Sequence, residues 1–77
     1  MRFKILWHPA AEYQLKELGW HPSENVDAAV LRFADTQRGD VEWVPPYYRL
    51  RVGRYRVRFT IDVATRTINV LFVYRAP

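Results

Sequence analysis

Residues 47–59 read Tyr-Tyr-Arg-Leu-Arg-Val-Gly-Arg-Tyr-Arg-Val-Arg-Phe, and this stretch decides the fold of the sheet. Two runs of alternating arginine and apolar residues meet at Gly53-Arg54, a two-residue loop that predicts a type II′ hairpin turn. The opposed pairs are then Val52 and Tyr55, Arg51 and Arg56, Leu50 and Val57, and Arg49 and Arg58. Because successive side chains point to opposite faces of a strand, the apolar residues take one face and the arginines take the other. We call the second face the arginine face, and it carries Arg49, Arg51, Arg56 and Arg58.

Four arginines set opposite one another predict a partner from outside the chain. Like charges directly opposed across two strands destabilise a sheet, so the arrangement favours a bound anion. The planar guanidinium fork suits phosphate. The competing interpretation is an ordinary solvated face, but such a face normally mixes both signs, and Asp62 is the only acidic residue after position 42.

The charge distribution along the 77 residues also favours an anionic partner. Residues 1–42 carry five Lys/Arg and seven Asp/Glu, a net charge of −2, whereas residues 43–77 carry seven arginines and one aspartate, a net charge of +6. A basic sheet half is typical of proteins that bind nucleic acid or acidic proteins. The absence of cysteine excludes disulfides and thiolate metal sites. No signal peptide or membrane span is expected, and the cytoplasm is the default location.

Hydrophobic periodicity predicts one α+β domain over residues 1–77, in the order β-α-α-β-β-β. The sheet should be mostly antiparallel and twisted, with two helices packed on its apolar face. The predicted elements are a strand over 2–7, a helix from Pro9 to Gly19, a second helix after an N-cap at Ser23, a strand from Asp40 that Pro45-Pro46 interrupts, the arginine hairpin, and a last strand over 67–74.

Strict alternation assigns the remaining aromatic and basic side chains to faces. Tyr48 and Tyr55 should point inward, while Tyr47 shares the parity of Arg49 and is the best candidate for stacking on a base. In the last strand, Arg75 should lie on the arginine face and Tyr74 should not. The predicted RNA-binding residues are Arg49, Arg51, Arg54, Arg56, Arg58 and Tyr47.

The chain resembles the RelE/ParE toxin superfamily of bacterial toxin–antitoxin systems. The resemblance rests on the element order, on Tyr-Arg-Leu-Arg-Val-Gly-Arg-Tyr-Arg-Val-Arg-Phe-Thr-Ile-Asp from residue 48, and on the apolar strand Thr-Ile-Asn-Val-Leu-Phe-Val from residue 67. It implies a translation-inhibiting, ribosome-dependent mRNA endonuclease with no metal or other cofactor, in which a ribose 2′-oxygen attacks the adjacent phosphate. It also implies a cognate antitoxin, mRNA and the ribosome as partners.

The resemblance also implies which residues would act in catalysis. Basic residues of the family's second and third strands match Arg49, Arg51 and Arg56, with Arg56 as the phosphate stabiliser. Family nucleases carry a Tyr or His beyond the last strand as an acid or base, and the candidates here are Tyr74 and Arg75. Three functions stay open: the nuclease, a ParE-like gyrase inhibitor or catalytically inactive protein of the same fold, and a plain single-strand RNA-binding module.

Overall fold

The computed structural model describes residues 2–77 as two helices packed on a mixed five-stranded sheet. The elements are β1 (Lys4–Trp7), α1 (Pro9–Glu17), α2 (Trp20–Thr36), β2 (Val41–Val44), β3 (Tyr47–Val52), β4 (Tyr55–Asp62) and β5 (Thr67–Arg75). The strands lie in the order β1-β5-β4-β3-β2. The β1–β5 pair is parallel and the other three are antiparallel, which confirms the predicted fold class.

The sheet has one strand more than the sequence predicts. Pro45-Pro46, joined by a cis peptide bond, does not interrupt a strand but forms the turn between β2 and β3. Two residues without a backbone N–H suit a turn better than a ladder. The acidic start of β2 is thereby placed beside the first arginine strand.

The second helix begins earlier than predicted. Its N-cap is Gly19, with a φ of 91°, and Trp20 is already helical, so Ser23 is not the cap. Pro22 is tolerated because the N–H groups of the first turn have no partner within a helix. The Ser23 hydroxyl donates instead to the Trp20 carbonyl, at 2.9 Å.

The hairpin register is the predicted one at every position. Arg49 pairs with Arg58, Leu50 with Val57, Arg51 with Arg56 and Val52 with Tyr55. The turn residue Gly53 has a φ of 58°, whereas Arg54 is not in the positive-φ region, the combination that distinguishes a II′ turn from a I′ turn.

The core lies between the helices and the apolar face of the hairpin. Val57 and Phe59 of β4 are buried against Val26 and Phe33 of α2, and the rings of Phe33 and Phe59 lie 5.2 Å apart. Because the helices cover this face alone, the arginine face stays open. Neither helix of the described chain is long and apolar enough to cross a membrane.

A β-bulge in β5 changes which side chains reach each face. Phe59 pairs with Val70 and Arg58 pairs with Phe72, so Leu71 is an extra residue without an opposed partner on β4. Val70 and Val73 are both buried although they stand three positions apart. The bulge accommodates this odd spacing and reverses the parity of every later residue of the strand.

Candidate functional site

The arginine face is built by the register of β3 and β4. Arg49, Arg56 and Arg58 are half-buried at their stems, and Arg51 is exposed. All four predicted arginines lie on the open face of the sheet, because their cross-strand partners are one another. The structure therefore brings together the basic residues that the sequence singles out on these two strands.

Two of these arginines already have carboxylate partners. Glu42 lies opposite Arg49 and accepts hydrogen bonds from its Nε, at 2.9 Å, and from its Nη2. Asp40 Oδ2 lies 3.6 Å from the Nε of Arg51. The face thus mixes both signs, contrary to the sequence expectation. The acids come from the acidic first half of the chain, since β2 and the residue before it lie beside β3.

In the ion pair between Arg49 and Glu42, each residue favours the charged form of the other. Hydrogen bonding and charge from Arg49 lower the pKa of the Glu42 carboxyl. Hydrogen bonds to Glu42 and then to Tyr74 raise the pKa of the Arg49 guanidinium. Arg49 is consequently a fixed cation held between an acid on β2 and a phenol on β5.

The other two arginines of the face have no carboxylate partner among residues 2–77. Arg56 donates from Nη1 to the carbonyl oxygens of Gly53 and Tyr55, each at 2.9 Å. These contacts hold the guanidinium near the hairpin turn and leave its other N–H groups available. A guanidinium fixed in this way can donate two parallel hydrogen bonds to a phosphate.

Arg58 lies between two tyrosine rings. Its guanidinium carbon is 5.6 Å from the ring centre of Tyr47 on β3 and 5.1 Å from that of Tyr74 on β5. Both distances are within the range of cation–π attraction. Tyr47 is therefore on the arginine face, as alternation predicts, and it supplies an aromatic surface beside the charge.

Tyr74 also lies on the arginine face, and here the sequence prediction is wrong. The bulge at Leu71 reverses the parity of β5, so Tyr74 pairs with Arg56. Burial raises the pKa of the phenol, but hydrogen bonds from Arg58 and Arg49 outweigh that effect and lower the pKa overall from its ordinary 10.0. The face thus contains a titratable oxygen held by two cations.

The same reversal removes Arg75 from the site. Arg75 pairs with Tyr55, a residue that packs against the core on the helix-covered side, and so it does not share the arginine face as predicted. Arg54 is exposed at the hairpin turn, and its carbonyl accepts from the N–H of Ala76. Arg54 can reach a ligand only at the end of the face.

Other candidate groups are engaged in structural roles. His8 is the N-cap of α1, and its Nδ1 accepts from the N–H of Ala10 at 3.2 Å. Within residues 2–77, no three His, Cys, Asp or Glu side chains are grouped so that they could hold a metal ion. The arrangement offers fixed cations for an anion, a phenol that can exchange a proton, and aromatic rings for stacking.

Sequence reasoning missed two residues of this face. Glu42 belongs to the acidic first half of the chain, so a charge count separates it from the arginines. The signal that identifies it is the Pro45-Pro46 turn, which places Glu42 opposite Arg49. Phe72 is 40 % exposed on the same face as Tyr74. No local signal reveals it, because the bulge that turns it outward depends on pairing between β4 and β5.

This fold and site define a class: a small α+β protein with a basic open sheet face. No protein-family model matches the chain, and no curated protein matches it in sequence. The fold is nonetheless that of the RelE toxins.

Among solved structures, the archaeal RelE–RelB complex from Pyrococcus horikoshii has a chain that superposes with a TM-score of 0.80 at 19% identity, over 97% of this chain and 96% of that one. The RelBE toxin–antitoxin complex of E. coli gives 0.77 at 18% identity, over 97% and 98%. The RelBE2 toxin–antitoxin complex of Mycobacterium tuberculosis gives 0.67 at 21% identity, over 97% and 99%.

Proposed function

We propose that this protein is the toxin of a toxin–antitoxin pair and that it cleaves messenger RNA on the ribosome. The observation that carries the proposal is the position of Tyr74 against Arg58 and Arg49. Phosphate-binding cations alone support RNA binding. A phenol with a lowered pKa among them adds the proton acceptor that RNA cleavage by a 2′-oxygen requires.

The proposed reaction uses the ribose beside the scissile phosphate as its nucleophile. The deprotonated oxygen of Tyr74 takes the proton of the 2′-hydroxyl, and the 2′-oxygen forms a bond to phosphorus. The bond between phosphorus and the 5′-oxygen then breaks, and the departing oxygen takes a proton from water. The hydroxide left behind removes the proton from Tyr74, which restores the base. The products are a 2′,3′-cyclic phosphate and a free 5′-hydroxyl.

Arg56 and Arg58 are suited to stabilise the charge that develops on the phosphate. Neither is neutralised by a carboxylate in the described chain, and Arg56 is held by two carbonyl oxygens. Fixed donors aimed at developing charge are usually the largest contribution to catalysis of this kind. Arg49, bound to Glu42, acts through Tyr74, because it lowers the pKa of the phenol and so favours loss of the phenolic proton. Arg51, at 3.6 Å from Asp40, would contribute to binding the RNA backbone.

The proposed protein partner is an antitoxin that covers the arginine face. The similar structures are RelE–RelB and RelBE complexes, in which a toxin-fold chain is bound to its antitoxin. In this chain the open face carries more arginine than acid, so an acidic segment of the antitoxin would be attracted to it. Covering Arg56 and Tyr74 would block RNA and neutralise the toxin.

The direct test is cleavage of mRNA on programmed ribosomes, followed by primer extension, with no metal added beyond what the ribosomes need. We expect discrete cuts that end in a cyclic phosphate, and we expect Arg56→Ala to slow their formation by about 10²-fold to 10³-fold. Intact mRNA at a protein concentration that stops growth on expression would refute the nuclease proposal.

A second candidate, a binder without nuclease activity, is favoured by the ion pairs of Arg49 with Glu42 and Arg51 with Asp40. Because two of the four arginines are paired with carboxylates, fewer cations are available to stabilise a charged transition state than the sequence predicts. A gyrase inhibitor would be of this kind. A DNA supercoiling assay separates it from the nuclease, since only the gyrase inhibitor would block supercoiling while leaving mRNA whole.

A further inference from the structure

A shallow pocket opens on the arginine face beside Arg58. It has a volume of about 260 Å³ and is lined by Gln14, Arg58, Phe72 and Tyr74. Three of these residues come from β4 and β5, but Gln14 comes from α1 and reaches the pocket from the edge of the sheet. The volume is below the range of pockets for drug-sized ligands, so it suits one small planar group.

Gln14 reaches this position because β1 is shorter than β5. β1 pairs only with Thr67–Val70, so the second half of β5 has β4 on one side and no strand on the other. α1 lies against that free edge, and the Oε1 of Gln14 accepts from the N–H of Val73 at 2.8 Å. The side chain therefore satisfies a backbone donor that a strand would otherwise pair.

The same hydrogen bond fixes which end of the Gln14 amide faces outward. The backbone N–H of Val73 can only donate, so the amide oxygen must be turned toward it. The Nε2 amino group has no partner within residues 2–77. It is left as an oriented pair of donors at the wall of the pocket.

Phe72 supplies the second element of the pocket. The bulge at Leu71 turns its ring to the open face, where it is 40 % exposed. An exposed aromatic ring beside fixed cations suits stacking on a base, as in modules that bind single-stranded nucleic acid. Arg58 and Tyr74 place the pocket directly beside the groups that would hold the phosphate.

We propose that this pocket binds one unstacked nucleobase, that Phe72 stacks on it, and that the Gln14 amino group selects bases presenting a carbonyl oxygen. Uracil and guanine offer such an oxygen at the position where cytosine and adenine carry an amino group. The inference deepens the proposed RNA cleavage by naming a residue that determines base preference, but it concerns binding alone.

The test measures binding of four fluorescein-labelled 2′-deoxy hexamers, which cannot be cut by a 2′-oxygen. The hexamers are built from deoxyuridine, deoxyinosine, deoxycytidine or deoxyadenosine, with deoxyinosine in place of deoxyguanosine to avoid quadruplexes. At low salt, fluorescence anisotropy should show about threefold to tenfold tighter binding of uridine and inosine hexamers, the effect of one hydrogen bond. Phe72→Ala should weaken all four by about fivefold or more, from lost stacking.

The decisive variant is Gln14→Glu. A carboxylate oxygen can still accept from Val73, but the outward donors are replaced by an acceptor, which suits the amino groups of cytosine and adenine. The preference should therefore reverse, while Gln14→Met should abolish it. Tyr13→Glu, which adds the same charge at the neighbouring exposed position, should weaken all four hexamers alike.

The outcomes separate this inference from the proposed nuclease. An unchanged base preference in Gln14→Glu and Gln14→Met would overturn the inference even if wild-type protein cuts mRNA. A reversed preference would support the inference even if no cleavage is found on ribosomes. Equal binding of all four hexamers by the wild type, or no saturable binding of any at low salt, would also overturn it.

Discussion

Replacing Tyr74 with phenylalanine removes one oxygen atom from the proposed site. The ring stays, so its contact with the Arg58 guanidinium, at 5.1 Å, is preserved. The phenolic oxygen, whose pKa is lowered by Arg58 and Arg49, is lost. Tyr74→Phe therefore tests proton transfer separately from cation–π stacking and from the shape of the face.

The expected cost in activity is large and the cost in stability is small. Removing a positioned general base lowers a rate by about 10²-fold to 10⁴-fold. That loss is about 2.7 to 5.4 kcal/mol of transition-state stabilisation. The lost oxygen lies at a half-exposed position, so the free energy of unfolding should fall by less than about 1.5 kcal/mol.

The pH dependence gives a second readout. The pKa of Tyr74 is lowered below 10.0, and a general base acts in its deprotonated form. Single-turnover cleavage on ribosomes should therefore accelerate as the pH rises from about 6 to about 8.5, and level off only above the pKa of the phenol. Tyr74→Phe should remove this rise, because the titrating group is gone.

Arg75→Ala is the matched control, since it changes the next residue along β5 but lies on the other face of the sheet. We expect its cleavage rate to stay within about twofold of the wild type. If Tyr74→Phe cuts mRNA within about threefold of the wild-type rate, with the same pH slope, the assignment of Tyr74 as the base is wrong.

Three further predictions test the arginine face and the core. Arg56→Ala should lower the cleavage rate by about 10²-fold to 10³-fold in single-turnover assays, because a fixed donor to the phosphate is lost; a loss below about fivefold would contradict this role. Glu42→Gln should release Arg49 from its ion pair, so RNA binding should tighten and the slope of log K against log salt should steepen by about 0.7; weaker binding would be the contrary result. Phe59→Ala removes a ring that is 2% exposed, and it should cost about 3 to 5 kcal/mol in urea unfolding; a cost near 1 kcal/mol would show that the core collapses around the gap.

The sequence alone predicts the register and the two faces of the hairpin, because the residues that determine them are adjacent in the chain. Strict alternation fixes the two faces of each strand, and Gly53-Arg54 fixes the turn length. Together they leave one register, which is the one observed. Local sequence alone therefore determines which face the arginines of β3 and β4 occupy.

Helix boundaries were less well determined. Ser23 is a good N-cap in isolation, but Gly19 with its positive φ takes that role and the first turn absorbs Pro22. A cap preference is worth only about 1 kcal/mol, so it does not by itself fix where a helix begins.

The composition of the arginine face depended on pairing between distant segments. Glu42 reaches Arg49 because β2 and β3 pair across the Pro45-Pro46 turn, and α1 brings Gln14 to the free edge of β5. Charge counted along the chain does not reveal the first contact, and the order of the elements does not reveal the second. Opposite charges attract according to their distance in space, and only the folded sheet sets that distance.

The last strand shows most clearly where the sequence was insufficient. The run Val70-Leu71-Phe72-Val73 is apolar at both parities, so alternation does not say which residues face the core. Burial of Val70 against Phe59 and of Val73 near Val57 requires an extra residue between them, and the bulge at Leu71 provides it. The sequence alone therefore determines a hairpin that carries four arginines on one face. The tertiary structure decided that Tyr74, and not Arg75, lies beside it, because only packing against β4 fixes the register of β5.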